Sequence, residues 1–474
     1  MPSKKQLSSA ALRSRNHTER EISLHGYQVE AIKLMVKEPA CGLFMDPGLG
    51  KTLCTYSAFD TLRAAKALRT MLVVAPLRPA METWPAELAK WGFPYSLAIL
   101  HGAKKEKSLL HRSDVYVINY EGLDWLFAAM FKYKLTFDML VFDESSKLRN
   151  TRTLRFKLIK HNLNSFKRRY ILTGTPAPNG LENLFGQLYV LDGGRRLGQY
   201  ITHFRREFFD QDMYLPFPKY TIKAGAAEKI HDKIKDIVYR ADDSVLDLPK
   251  KVDVTRQVVL PKAARLVYDD IENNLIAQID DHTVYAANAG VATQKLRQIV
   301  NGGLYLDNNP DQWKKLHNAK TEHTLELLDE LEGKPTIVAY EFHHDRDRLL
   351  EAIGHDTPYL GGGVSPKRGH EIQEAWNKGD IPVLLGQPSS MAHGLNLQGA
   401  GRAVIWHSLT WDYENYYQLI KRIWRQGQRH RVFIYHLVGK DTVDEAIMEA
   451  LARKAGTQKD FFNAVINYLK RRKS

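Results

Sequence analysis

Lysine and threonine placed directly after a glycine-spaced turn are the residue types that hold phosphate. They occur here in Asp46-Pro47-Gly48-Leu49-Gly50-Lys51-Thr52. An apolar run, Ala40 to Met45, precedes them and reads as a buried strand, and Thr52 to Leu68 has helical character. A strand, a glycine turn and a helix N-terminus aim backbone N–H groups and the positive end of the helix dipole at an anion. Gly48 and Gly50 let the backbone approach phosphate oxygens, Lys51 reaches the β- and γ-phosphates, and the Thr52 hydroxyl suits magnesium. The strict spacing G-x-x-x-x-G-K-[ST] fails, because Met45 stands at its first Gly. Taken alone, the stretch therefore leaves a plain helix-start loop open as the alternative.

An acidic pair supplies the second half of a hydrolytic site. Asp143-Glu144 closes the apolar run Met139 to Phe142. An Asp at a strand end can hold magnesium through water, and a neighbouring Glu can orient or deprotonate an attacking water. In isolation the pair says little; downstream of a Gly-Lys-Thr cradle it says much more. Gln28, in His25-Gly26-Tyr27-Gln28, offers one acceptor and two donors, enough to read an adenine edge, although alone it is an ordinary helix-start Gln.

Near the C-terminus, Gln418 through Gln428 carries Arg422 and Arg425, three apart and so on one face if the segment is helical. Two guanidiniums there could meet a triphosphate held elsewhere, or could serve a basic, nucleic-acid-facing helix. Gly394-Leu395-Asn396-Leu397 lies in a loop after a strand. His343-His344-Asp345 invites a metal reading, but adjacent His side chains diverge and no companion ligand motif stands out, so it is expected to begin a polar helix.

These residues need a scaffold. Buried strands are expected at Met71 to Ala75, Val115 to Ile118, Met139 to Phe142 and Tyr170 to Leu172, each followed by a turn-forming or polar residue: Pro76, Asn119, Asp143, and Thr173-Gly174-Thr175-Pro176. Strands alternating with helices, with functional residues at strand C-terminal ends, make an open parallel α/β sheet. From about 181 to 250 the rhythm stops, and a helical insertion is expected, its Phe204, Phe208 and Phe209 packing rather than stacking on bases. Helix returns at 262–300. A second α/β unit follows, with strands at Thr336 to Tyr340, Val383 to Leu385, Ala403 to Trp406 and Val432 to His436 and a core over about 320–450. The division expected is a mobile basic tail at 1–20, a first lobe at 21–255, and a second lobe at 256–474 ending in a basic tail.

Composition bounds the partners. The 474 residues are 44% hydrophobic and 26% charged, as in a globular protein of two domains. No apolar run approaches the roughly 18 residues of a membrane span, and the polar N-terminus has no secretory h-region. The two cysteines, Cys41 and Cys54, flank the glycine turn without zinc or redox spacing, which fits a reducing compartment. A net charge of +14, spread over clusters such as Lys167-Arg168-Arg169 and Arg429-His430-Arg431, favours a polyanionic partner over a generally basic surface only weakly.

In combination these motifs resemble the Swi/Snf-type ATPases of helicase superfamily two, from about residue 22 to 450 and in the right order. Asp46-Pro47-Gly48-Leu49-Gly50-Lys51-Thr52 is similar to the family's Asp-Met-Gly-Leu-Gly-Lys-Thr, which explains the absent first Gly. Val74-Ala75-Pro76 with Trp84, Asp143-Glu144 with Lys147 to Asn150, Leu172 to Pro176 with Asn179 and Leu181 to Leu184, Gly394 to Leu397, and Gln418 to Gln428 resemble its later motifs. The resemblance implies two RecA-like parallel-sheet lobes with a helical insertion between the lobe cores, ATP and Mg2+ in the cleft, and duplex DNA across both lobes.

Site roles follow from the same resemblance. Lys51, Asp143, Glu144, Arg422 and Arg425 carry over as catalytic residues. Gln28, Pro47, Gly48, Leu49, Gly50, Lys51, Thr52 and Gln418 carry over as ATP-binding, and Thr52 and Asp143 as the metal ligands. Pro76, Thr173, Gly174, Thr175, Gly394 and Asn396 carry over as coupling or DNA-binding positions. Three departures stand out: Ser145-Ser146 for the usual Gly-His or Ala-His, Pro47 for Met, and Lys421 where Asp is common.

The activity expected is ATP-driven, sequence-tolerant movement along duplex or branched DNA, in the cytoplasm of a bacterial or virus-infected cell, by a compact prokaryotic or viral member. Three alternatives stay open: a strand-unwinding or fork-remodelling helicase, a non-catalytic DNA-binding adaptor that keeps the fold, and a motor subunit for a nuclease or a replication or recombination partner.

Overall fold

The structure is a computed structural model that describes residues 22–177, 180–212, 219–280, 286–306, 309–391 and 395–453, with 464, 465, 468 and 471 beyond them. The N-terminal stretch expected to be a mobile tail lies outside the described residues. The chain divides into two compact units, Met1–Leu246 and Asp247–Ser474.

In the first unit, chain order gives strands β1 (Ala40–Met45), β2 (Met71–Ala75), β3 (Leu97–Ile99), β4 (Val115–Asn119), β5 (Met139–Asp143), β6 (Arg168–Thr173), β7 (Phe209–Asp212), β8 (Lys219–Ile222) and β9 (Val238–Ala241). Seven of them form one sheet in the order β3-β4-β2-β5-β6-β1-β9, parallel throughout. Every residue of β2 and of β5 is buried, as parallel strands with helices on both faces must be. The sequence order jumps across the sheet, so β1, β5 and β6 become neighbours although more than ninety residues separate β1 from β5.

The segment 181–250 holds more than helices. Helices Leu184–Asp192, Ile201–Phe208 and Ala226–Ile234 are there, but so are the antiparallel hairpin β7–β8 and the edge strand β9, which pairs with β1. Phe204, Phe208 and Phe209 are buried against one another, the packing role expected of them.

The second unit begins with β10 (Lys251–Val258), which runs through the expected boundary at 255 and pairs along its whole length with a strand near the C-terminus. After it come β11 (Gly303–Leu306), β12 (Asn309–Lys315), β13 (Thr336–Ala339), β14 (Tyr359–Leu360), β15 (Val383–Gly386), β16 (Ala403–Trp406) and β17 (Val432–Gly439). A six-stranded parallel sheet runs β10-β17-β16-β13-β15-β14, and β11–β12 is a separate antiparallel hairpin. Both faces of this sheet are buried: Ile337, Ala339, Val404 and Trp406 join one core, while Val338, Ala403 and Ile405 join another. Successive residues of a strand point to opposite faces, so these uninterrupted apolar strands require cover on both.

His343 does open a helix, His343–Ile353. His344 and Asp345 are wholly buried in it, paired with each other at 3.1 Å and with Arg348. No helix among the described residues is long and apolar enough to cross a membrane. Both cysteines are free and buried.

Candidate functional site

The chemistry of the first unit collects where four neighbouring strands end. The loop Asp46–Gly50 follows β1, Pro76 follows β2, Asp143-Glu144 closes β5, and Thr173–Pro176 closes β6; these strands lie side by side as β2-β5-β6-β1. Loops beyond the carboxyl ends of a parallel sheet are where such folds bind ligands.

Gly48 (φ 91°) and Gly50 (φ 81°) both take the left-handed backbone that glycine tolerates, and Gly50 precedes the helix Lys51–Ala64. The N-cap of that helix is Gly50, which has no side chain to cap the first turn, and a helix start of that kind is where an anion cradle forms. The Lys51 ammonium folds back onto the Met45 carbonyl at 2.7 Å. Thr52 sits one residue further into the first turn, as a magnesium-holding hydroxyl must.

Gln28 holds this loop in place. It is buried, its Oε1 accepts from the His25 N–H at 3.0 Å, and its Nε2 donates to the Leu49 carbonyl at 3.1 Å. A Cβ at position 50 would lie 2.5 Å from that Nε2, so glycine is required there by contact as well as by conformation. Pro47 meets the next loop: a Cβ at Gly174 would lie 2.7 Å from its ring. Within that loop the Thr175 N–H donates to Thr173 Oγ1 at 3.1 Å. Asn179 lies outside the described residues.

The acidic pair is held firmly. Trp84, fully buried, donates its indole N–H to Asp143 Oδ2 at 2.9 Å; the Glu144 N–H donates to Oδ1 at 3.1 Å; the Tyr120 hydroxyl donates to the Asp143 carbonyl at 2.8 Å. Burial, and then the Glu144 charge, push the Asp143 carboxyl up to about 6, opposed by the Trp84 hydrogen bond and by the positive charge of Lys51. Lys51 and Asp143 therefore share one electrostatic site. Glu144 takes a left-handed backbone (φ 51°), unusual for a residue with a side chain, and its buried Oε2 has no hydrogen-bond partner among the described residues. An acceptor in that condition suits a water aligned for attack.

In the second unit, the helix Tyr413–Ile423 ends before Arg425. The shared helical face expected for the two arginines is therefore not formed: Trp424 leaves helical backbone, and Arg425 lies in the turn after it, its carbonyl accepting from Gln428 at 3.0 Å. Arg422 is buried, donating to the Leu395 carbonyl and to Gln418 Oε1, each at 2.9 Å. Gln418 thus orients an arginine here. Lys421 is buried over the Trp424 ring at 4.2 Å, an aromatic setting that accommodates a cation where Asp is common. Asn396 is exposed, and Gly394 lies outside the described residues.

Three contributors escape sequence reasoning: the indole donor of Trp84 as the clamp on Asp143, the Tyr120 hydroxyl, and Gln187, whose Oε1 accepts from the hydroxyl of Ser145 beside Glu144 at 2.8 Å. The last did leave a signal. It is the one amide in the apolar run Leu184 to Leu191, and an amide carried into a core by such a run needs partners.

Two family models match the chain: the SNF2-related domain over residues 27–308, more than half its length, and the helicase conserved C-terminal domain over 319–427. Protein p41 of Acyrthosiphon pisum secondary endosymbiont phage 1 is 33% identical over 433 residues, covering 87% of this chain and 92% of that protein. The DNA repair and recombination protein RAD54 of Oryza sativa subsp. japonica is 24% identical over 88% of this chain. The chain spans only 48% of the rice protein's length. Among solved structures, the Sulfolobus solfataricus SWI2/SNF2 ATPase core in complex with dsDNA aligns with a TM-score of 0.44 at 23% identity, covering 94% of this chain and 93% of that one.

Proposed function

We infer, from the premise that this chain belongs to the SNF2-related family of DNA-dependent ATPases in helicase superfamily two, that it is a motor which hydrolyses ATP and moves along duplex DNA. The observation that carries this reading is the convergence of the Pro47–Thr52 loop, Asp143-Glu144 and the Thr173–Pro176 loop at the ends of adjacent strands, with Lys51 and Asp143 in one electrostatic field.

The residues fit a magnesium–nucleotide complex. The glycine turn and uncapped helix start offer amides to phosphate, and Asp143 with the Thr52 hydroxyl offers hard oxygen donors. Magnesium held there would offset the negative charge of the nucleotide's phosphates. Lys51 leaves the Met45 carbonyl to bind those phosphates. Gln28 has one lone pair and one N–H beyond its two present bonds, and with them reads the adenine edge. Glu144 aligns water through its unpartnered oxygen and takes its proton. The role of Arg422 and Arg425 is to neutralise charge on the transferred phosphoryl group, and Gln418 fixes the orientation of Arg422. DNA is gripped through its phosphates, with Pro76, Thr175 and Asn396 among the contacting positions, so binding is sequence-tolerant and weakens steeply with salt.

The test is ATP hydrolysis without nucleic acid and with single-stranded, duplex and forked DNA or RNA, alongside Lys51→Ala. Strong duplex stimulation, abolished by Lys51→Ala, is expected. Stimulation only by forks or single strands would turn the reading to an unwinding or fork-remodelling enzyme. No stimulation by any of them would overturn the autonomous motor.

A further inference from the structure

We propose that Gln187 is a positioning residue that ties the hydrolytic acidic pair to the Thr173–Pro176 loop through Ser145, so that the state of the nucleotide site is passed to that loop. The proposal rests on the motor reading above, and it adds a residue which the motifs of that reading do not contain.

Gln187 sits in the middle of the helix Leu184–Asp192 with no exposed surface. A primary amide placed there costs stability unless its polar atoms are satisfied. Its Oε1 accepts from the Ser145 hydroxyl at 2.8 Å; its Nε2 donates to the Pro176 carbonyl and, at 2.9 Å, to the Asn183 carbonyl one turn back. One of these bonds stays at the helix's own N-cap, Asn183, and the other two reach separate segments, at Ser145 and at Pro176. Ser145 directly follows Glu144 and begins the 3-10 turn Ser145–Leu148. Pro176 ends the loop that closes β6.

The helix cannot drift away from the acidic turn. Next to Gln187, a Cβ at Gly186 would lie 2.2 Å from the Leu148 carbonyl, so the helix backbone rests directly on the turn. At its other end the loop meets the phosphate cradle, where Gly174 abuts Pro47. The Thr173–Pro176 loop is thus fastened on one side to the residue that opens the cradle and on the other to the residue that follows the proposed base. A shift of Glu144 on engaging substrate water moves Ser145, and the only polar tie from the Ser145 hydroxyl among the described contacts leads through one amide to Pro176.

A string of hydrogen bonds is evidence of proximity, and coupling has to be measured. The experiment uses the full chain and two variants, Ser145→Ala and Gln187→Leu, with thermal melting to confirm folding. Hydrogen exchange is followed in peptides spanning 173–177, with and without a non-hydrolysable ATP analogue and Mg2+. ATP hydrolysis is measured in parallel with and without duplex DNA. In the wild type the analogue is expected to slow exchange in 173–177. In both variants most of that difference should vanish, and duplex stimulation should fall about fivefold or more while the KM for ATP holds within about twofold. Retention of the wild-type exchange difference in either folded variant would overturn the proposal, as would a wild type in which the analogue changes nothing. If Gln187→Leu does not fold, Ser145→Ala decides alone. A wild type that no DNA stimulates would sink the motor reading, while the exchange measurement still judges the link.

Discussion

The indole N–H of Trp84 and the carboxylate of Asp143 meet at 2.9 Å across 59 residues of sequence, both buried, where the helix Trp84–Lys90 begins and β5 ends. The bond fixes one carboxylate oxygen and leaves the group in a setting where its charge is costly. That cost is visible as a carboxyl pushed up to about 6 by burial and by Glu144.

A folded-state value above the ordinary Asp range means that the native protein binds the proton more tightly than the unfolded chain does. The stability contributed by protonated Asp143 is fully present below about pH 4 and is lost as pH rises through about 6. Asp143→Asn removes the charge and keeps an oxygen for Trp84. In magnesium-free, nucleotide-free protein, this variant should be more stable than wild type at pH 7.5, by up to about 3 kcal/mol, since one pKa unit corresponds to roughly 1.4 kcal/mol. The gain should fade between pH 6 and pH 4. Urea unfolding at several pH values checks this; a pH-independent difference would be evidence against a buried, titrating Asp143. The same variant should hydrolyse no ATP.

Gln28 and Gly50 form a second testable contact. Gln28→Leu removes the hydrogen bond that steadies Leu49 and leaves that carbonyl short of a partner. With Gln28 in the proposed adenine-reading role, the KM for ATP should rise about tenfold, as the loss of one or two hydrogen bonds of about 1 kcal/mol each implies, with a smaller change in kcat. Gly50→Ala should do worse, because φ 81° strains any side chain and its Cβ collides with the Gln28 amide. Steady-state kinetics of both variants distinguish this from a purely structural loss, which would lower the active fraction and leave KM alone.

The parts legible in the sequence were those whose chemistry is contiguous. Gly48 to Thr52, Asp143-Glu144 and Thr173 to Pro176 each sit in a few residues after an apolar run, and β1 and β2 fall at the expected residues. Short or weakly patterned elements were hidden. β3 has three residues, too few to show a period, and β9 lies inside a stretch whose amphipathic helices set the visible rhythm. The partnership of Trp84 with Asp143, and of Gln187 with Ser145, depends on which strands become neighbours, which spacing along the chain does not encode. The helix carrying Arg422 looked long enough to include Arg425; it stops because Trp424 departs from helical backbone and Gly427 (φ 95°) turns the chain.

Gly186 offers a sharp packing test. The Leu148 carbonyl occupies the place of its missing side chain, and backbone cannot swing aside as a flexible side chain does. Gly186→Ala should therefore destabilise the protein by about 1–3 kcal/mol, although alanine favours helix over glycine by roughly 1 kcal/mol in an open position. Gly26→Ala, at a helix start with open space around it, is the control and should be neutral or slightly stabilising. Chemical unfolding of the two variants separates the steric effect from helix propensity, since only the first predicts opposite signs.

The second unit holds a buried ion pair whose two halves should behave very differently alone and together. Lys320 and Asp444 meet at 2.6 Å with side chains 0% and 3% exposed. Lys320 also donates to Asn301 at 2.9 Å, and Asp444 also accepts from the Gly439 N–H at 3.0 Å. Taking two charges out of water costs nearly as much as their attraction returns, so the pair adds little net stability over an apolar equivalent. Removing one partner leaves the other buried and uncompensated. Lys320→Met should cost about 3–5 kcal/mol, and Asp444→Asn a comparable amount, because each strands a charge. The double variant should cost much less than the sum of the two, since no unpaired ion remains. A double-mutant cycle in urea measures this directly. Additive losses would mean that the two side chains are solvated in solution, and that the second unit is anchored at this point by other contacts.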